Sequence, residues 1–230
     1  MRRLILSGLT LLILCTKAMA LTISPLVIEM NTDHRLTSQL IVTNNSTQKL
    51  ALEANVHQLS FGADGAIHTS ENPDKNVLVF PPAVLLEPGQ QQAFRVQWIS
   101  QAPLKTSQSY FVRFSTANLK QDSGQVEFLP KRFSTGINVK LHYNALLHVY
   151  SSAQKPDVSV IVGDQGNLTL TNAGDRFTFT TALFFKNLDH NTVDALYEAL
   201  GAQFIPPKST LTFHAAEQAL PVGTYYGYEH

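Results

Sequence analysis

GQVEFLPKRFSTGINVKLHYNALLHVY, residues Gly124–Tyr150, alternates with a period of two. From Phe133 the odd positions read Phe133, Thr135, Ile137, Val139, Leu141 and Tyr143, while the even ones read Ser134, Gly136, Asn138, Lys140 and His142. Apolar and β-branched residues on one parity mark a β-strand rather than a helix. Val126 and Phe128 carry the alternation upstream, until Pro130 and the pair Lys131-Arg132 interrupt it. A proline and two adjacent charges suit an edge strand, whose outer backbone groups need not complete a ladder. The stretch therefore reads as an exposed edge, available to pair with another chain.

Both flanks carry the same grammar. Upstream, Leu40/Val42, Leu50/Leu52/Ala54/Val56, Phe94/Val96/Trp98 and Tyr110/Val112/Phe114 alternate inward, separated by turns at Asn44–Ser46, Gly62–Gly65 and Glu87–Gly89. About seven short strands spaced by turns predict an antiparallel sandwich of immunoglobulin type. Leu21–Met30 is a strand broken by Pro25, expected to lie at an edge or to bend there. Pro81-Pro82 follows a short strand, and a cis bond is expected at Phe80–Pro81 or Pro81–Pro82. Downstream, Val158–Val162, Asn167–Thr171, Phe177–Phe185, Thr210–Phe213 and Val222–Tyr228 read as strands. Val193, Leu196, Tyr197 and Leu200 recur at helical spacing, with Thr192 as the expected N-cap and Gly201 as the stop. The chain is thus read as all-β: a leader over 1–20, one immunoglobulin-like sandwich over 21–147 and a second over 148–230.

The leader follows from Arg2-Arg3, the apolar run Leu4–Cys15 and the Ala18-Met19-Ala20 site, which predict export with cleavage after Ala20. The run is too short to span a bilayer. Cleavage removes three of the 17 basic residues and none of the 17 acidic ones, leaving a mildly acidic chain with no pull toward nucleic acid. It also removes Cys15, the one cysteine, so both sandwiches must stand on packed cores without a disulfide. An exported chain without cysteine fits a bacterial periplasm.

Chemistry is sparse. The sequence holds no G-x-S-x-G, no H-E-x-x-H and no phosphate-binding glycine loop. Its eight histidines are scattered; His142 and His148 are the closest pair, at a spacing along a strand that sets no metal geometry. No enzyme activity, metal, cofactor or small-molecule substrate is expected, and a binding module fits better.

Three stretches carry a resemblance. Val79–Gln90 (VFPPAVLLEPGQ) with Phe94-Arg95-Val96, then Val139–Tyr143 (VKLHY), then Leu168–Asn172 with Ile205–Ser209 (IPPKS), resemble in order and spacing the PapD-like periplasmic pilus chaperones. The resemblance covers essentially the whole chain. It implies two immunoglobulin-like domains in a boomerang, and a chaperone that caps pilus or fimbrial subunits by lending them a strand before an outer-membrane usher takes them. It implies that Lys140 grips the subunit's terminal carboxylate, a charge whose desolvation between Val139 and Leu141 needs a partner. The family's arginine in the first strand is missing from Leu21–Met30, and Thr106–Ser109 replaces its basic-acidic-Ser run. The chain is accordingly expected in a divergent branch, alternative or archaic, with Arg113 as the second donor. The donated strand would present Val126, Phe128, Phe133, Thr135 and Ile137. The competing reading, a secreted immunoglobulin-like structural subunit or adhesin, usually requires a disulfide and an alternating N-terminal extension; the chain has neither.

Overall fold

The computed structural model describes residues 21–71, 75–117, 140–163, 166–186, 188–214 and 220–229. The chain folds as two all-β units in succession. The first contains β1 (Leu21–Ser24), β2 (Val27–Asn31), β3 (Thr37–Asn44), β4 (Leu50–Phe61) and β5 (Ile67–Glu71). It continues through β6 (Val77–Phe80), β7 (Ala83–Leu86), β8 (Gln91–Trp98), β9 (Gln108–Ala117) and β10 (His142–Tyr150). One sheet runs β1-β3-β8-β6; the other runs β2-β10-β9-β4-β5, with β7 also on β4.

The alternation seen in the sequence becomes the space between the sheets. Phe94, Val96 and Trp98 of β8 face Tyr110, Val112 and Phe114 of β9, all buried. Phe94 and Phe114 meet edge to face at 4.8 Å, which joins the sheets at their centre. Such contacts add roughly 0.5–1.5 kcal/mol beyond the area they bury.

Pro25 acts where the first strand was expected to bend. β1 pairs antiparallel with β3 in one sheet, and β2 pairs parallel with β10 in the other. Without an N–H, Pro25 cannot extend either ladder, and the chain crosses from sheet to sheet there. Ser24–Pro25 and Phe80–Pro81 are cis, the second being one of the two bonds expected. β2 also corrects the edge reading of the central stretch. Leu146–Tyr150 are covered by β2 and are internal to the sheet. Only His142–Ala145 keep β9 on one side with no described strand on the other. β10 also runs past the expected boundary at 147/148, for Val149 packs in the first core and the chain changes core within 151–157.

Asn44 closes β3 and is wholly buried. Its Nδ2 donates to the carbonyls of Gln48, Leu86 and Glu87 at 2.8, 3.0 and 3.1 Å, and its Oδ1 accepts from the Ser46 amide and hydroxyl. Asn44→Ala removes all of these bonds at once and takes the Asn44 donor from the buried Leu86 carbonyl. The expected loss is about 2–4 kcal/mol, read from urea unfolding by the fluorescence of Trp98, the single tryptophan. An unchanged midpoint contradicts it.

The second unit contains β11 (Val158–Val162), β12 (Asn167–Asn172), β13 (Thr178–Phe179), β14 (Leu183–Phe185), α1 (His190–Leu200), β15 (Phe204–Ile205), β16 (Ser209–His214) and β17 (Gly223–Glu229). Its main sheet runs β14-β17-β11-β12-β16, and α1 buries Leu196 and Leu200 against it. Two expectations change here. The strand expected over Phe177–Phe185 is split by a 3₁₀ turn at Thr180–Ala182. Thr180 Oγ1 donates to the Gly201 carbonyl and accepts the Gln203 amide, which draws the chain inward. The helix is capped by Asp189, not Thr192: Asp189 Oδ1 accepts the Thr192 amide at 3.0 Å, so Thr192 already lies in the first turn.

β5 gave no sequence signal because every residue in it is exposed. It is held by backbone pairing to His57–Phe61 and leads the β4–β5 hairpin onto the second unit. There the Thr210 amide of β16 donates to the Ala63 carbonyl at 2.7 Å, and Phe61 packs on Phe204 at 5.3 Å.

Candidate functional site: a cationic cleft face

Register decides which side chains share the outer face of the second sheet. Ser109, Phe111, Arg113 and Ser115 of β9 lie opposite His148, Leu146, Asn144 and His142 of β10. On the other side they face Leu59, His57, Asn55 and Glu53 of β4. The neighbours of Phe111, Arg113 and Ser115 on β9 point into the core, so this row is the wall of the sheet away from it.

The second unit covers one end of that wall. His148 is 1 % exposed, stacked on Phe204 at 4.9 Å and 19° and beside Phe177 at 4.6 Å. Its Nδ1 lies 2.8 Å from Ser109 Oγ, and its Nε2 has no partner among the described residues. Burial pushes the imidazole down to about 4. Arg176 lies over the Tyr150 ring at 4.4 Å and pairs with Glu229 at 3.3 Å. The Ser107 amide donates to the Asp175 carbonyl at 2.8 Å, and Ser107 Oγ accepts the Phe177 amide at 2.9 Å.

Past this seam the wall is open. A hollow of about 530 Å³ is lined by Arg113, Lys140, His57, His142, Lys75 and Glu71, among others. Arg113 and Lys140, the two expected anchor residues, are thus brought to one hollow from two parts of the chain. Lys140 is exposed. Arg113 Nε donates to Asn144 Oδ1 at 3.0 Å, which fixes the plane of the guanidinium. His142 Nδ1 lies 2.7 Å from Ser115 Oγ. His57 stands across from Glu71 on β5; burial first, and then Arg113, holds it below the ordinary histidine range, with Glu71 opposing. Positive groups outnumber negative ones on this wall, and it offers donors rather than a nucleophile.

Sequence reasoning did not find His57, Lys75 or Glu71 as neighbours of Arg113. The only signal was parity: His57 and Arg113 face outward by alternation, but pairing across strands is not written in either strand alone. Val126, Phe128, Phe133, Thr135 and Ile137, the expected donor residues, lie outside the described residues. Among the described residues, no group of three or more His, Cys, Asp or Glu can hold a metal ion, and no helix is long and apolar enough to cross a membrane.

The fold is shared with solved pilus chaperones. A chain of the CsuC–CsuE chaperone–tip adhesion subunit pre-assembly complex, from the archaic chaperone-usher Csu pili of Acinetobacter baumannii, matches with a TM-score of 0.54 at 14 % identity. That match covers 84 % of this chain and 89 % of that one. The class 5 fimbriae chaperone CfaA matches at a TM-score of 0.55 and 14 % identity, over 90 % of each chain. A chain of the Salmonella enterica SafA pilin–SafB chaperone complex matches at 0.53 and 15 % identity, over 94 % of this chain and 98 % of that one. No family model matches the sequence, and no curated protein matches it.

Proposed function

We propose that this chain is a divergent PapD-like periplasmic chaperone that caps pilus or fimbrial subunits and hands them to an outer-membrane usher. The observation that carries the reading is the meeting of Arg113 and Lys140 in one hollow of the first unit. A subunit's terminal carboxylate placed there accepts charge-assisted hydrogen bonds from both cations. Arg113 then takes the part of the arginine that the first strand lacks. The 124–141 stretch directly precedes the open backbone of His142–Ala145 in the sequence, and this stretch is the edge that is lent. Val126, Phe128, Phe133, Thr135 and Ile137 fill the gap in the subunit's core, each contributing about 1.5–3 kcal/mol when fully buried. A slip of one residue would present Ser134, Gly136 and Asn138 instead, so register carries the specificity.

Two pairs of variants test this. Lys140→Ala with Arg113→Ala is expected to leave the free protein folded and to lower the yield of a co-expressed pilus subunit recovered from periplasm by at least about ten-fold, the loss of roughly two charge-assisted bonds. Undiminished yield removes the anchor. Phe133→Asp or Phe128→Asp is expected to give a folded chain that no longer protects the subunit from proteolysis. If both variants fold and protect normally, this strand is not the one lent.

A further inference from the structure

We propose that His57 and His142 complete the anion site around Arg113 and make its hold on a carboxylate depend on pH, tighter in mildly acidic than in neutral solution. This rests on the reading that the hollow receives a terminal carboxylate, and adds the means by which that hold is regulated. The two histidines come from strands on opposite sides of β9, which carries Arg113, and both line its hollow. Ser115 Oγ engages Nδ1 of His142 and so sets that ring. Asn144 engages Nε of Arg113, leaving its terminal nitrogens without a partner among the described residues.

The charged surroundings make the effect directional. His57 lies opposite Phe111 on β9 and diagonal to Arg113, faces Glu71 on β5, and is within electrostatic reach of His142 on β10. Lys75 and Lys140 stand on the rim, and Glu53 lies further along β4. His142 shares Arg113, Lys140 and His57 as neighbours in the hollow, and Glu53 lies in its row beyond Ser115. In the empty cleft the cations oppose a second positive charge on this wall. A carboxylate entering among them reverses the balance and favours protonation of His57. Binding therefore takes up protons, and by reciprocity falling pH strengthens binding, by up to about ten-fold per pH unit for each histidine that titrates.

The test uses the mature chain with hippurate, a minimal C-terminal carboxylate on a peptide-like amide, and hippuramide as its uncharged twin. Binding is followed by NMR of the histidine rings at about pH 7.5 and about pH 5.5. Hippurate affinity is expected to rise at least about ten-fold at the lower pH, with shifts at His57 and His142, while hippuramide binds at neither. In His57→Gln/His142→Gln the preference for hippurate persists and its pH dependence disappears. If wild type prefers hippurate equally at both pH values, the histidines play no part while the carboxylate reading stands. If wild type does not distinguish hippurate from hippuramide at either pH, the carboxylate reading itself fails and this inference falls with it. The wild-type comparison decides between these outcomes even if the double variant does not fold.

Discussion

Acid is expected to loosen the junction between the two units through His148. The ring is 1 % exposed and packed against both Phe177 and Phe204, and its Nε2 has no partner among the described residues. In the unfolded chain the imidazole titrates at the ordinary 6.5, and burial lowers that to about 4 in the folded one. Above about pH 7 both states are neutral and the full stability is present. As pH falls from about 6.5 to about 4, the unfolded state binds a proton that the folded state refuses, so stability declines throughout that window and levels off below it. The shift corresponds to about 3 kcal/mol, a large part of the margin of a typical domain. The midpoint of urea unfolding, followed from about pH 7.5 down to about pH 4, is expected to fall steeply in wild type and markedly less in His148→Phe. Phe keeps the aromatic stack and cannot take a proton. Parallel declines in the two proteins would rule His148 out as the acid-sensitive group.

Gly174→Ala is expected to be among the most damaging single-methyl changes in the second unit. A Cβ there would stand 2.3 Å from the Lys155 carbonyl oxygen, 2.5 Å from the Asp157 nitrogen and 2.7 Å from the Pro156 carbonyl carbon. All three are backbone atoms, and that backbone is itself tied down. The Lys155 amide donates to Asp175 Oδ1 at 2.8 Å, the Asp157 amide to Asn172 Oδ1 at 3.1 Å and the Ala173 amide to the Asp157 carbonyl at 2.8 Å. Asn172 is wholly buried and cannot swing away. Overpacking typically costs about 1–3 kcal/mol, and a contact with pinned backbone belongs at or above the top of that range. The same turn meets the first unit through Asp175 and Ser107, so the damage is expected to reach the seam. Near-UV dichroism of the tyrosines should show early unfolding of Gly174→Ala, while Trp98 fluorescence, buried in the first core, reports that unit separately. Coincident wild-type transitions in both signals would show that the linker yields.

Strand alternation was enough to turn Phe94, Val96 and Trp98, and likewise Tyr110, Val112 and Phe114, toward a core, because period two maps directly onto the two faces of a sheet. The bend at Pro25 was also local, since the missing N–H acts wherever that residue stands. The first-core residues, the two-sandwich class and the outward turn of Arg113 could be read in the same way. β5 could not, because a strand with no buried residue leaves no hydrophobic pattern. The 3₁₀ turn at Thr180 could not either, for its hydroxyl is claimed by Gly201 and Gln203, which lie on the far side of α1. The cap at Asp189 required knowing which of two neighbouring polar residues the backbone would turn back upon.

By itself the sequence determined that the chain is all-β, that its cores stand without a disulfide, and that Arg113 turns away from its apolar neighbours. These follow from composition and from the identity of neighbours along one strand. Only the tertiary structure decided that Lys140, Arg113, His57 and His142 line one hollow, and that His148 on the same face is sealed by Phe177 and Phe204 of the second unit. Those relations depend on the registers of β4, β9 and β10 and on the docking of one unit against the other. A shift of a single residue in any of those registers would exchange the two faces without changing the hydrophobic pattern of the other strands.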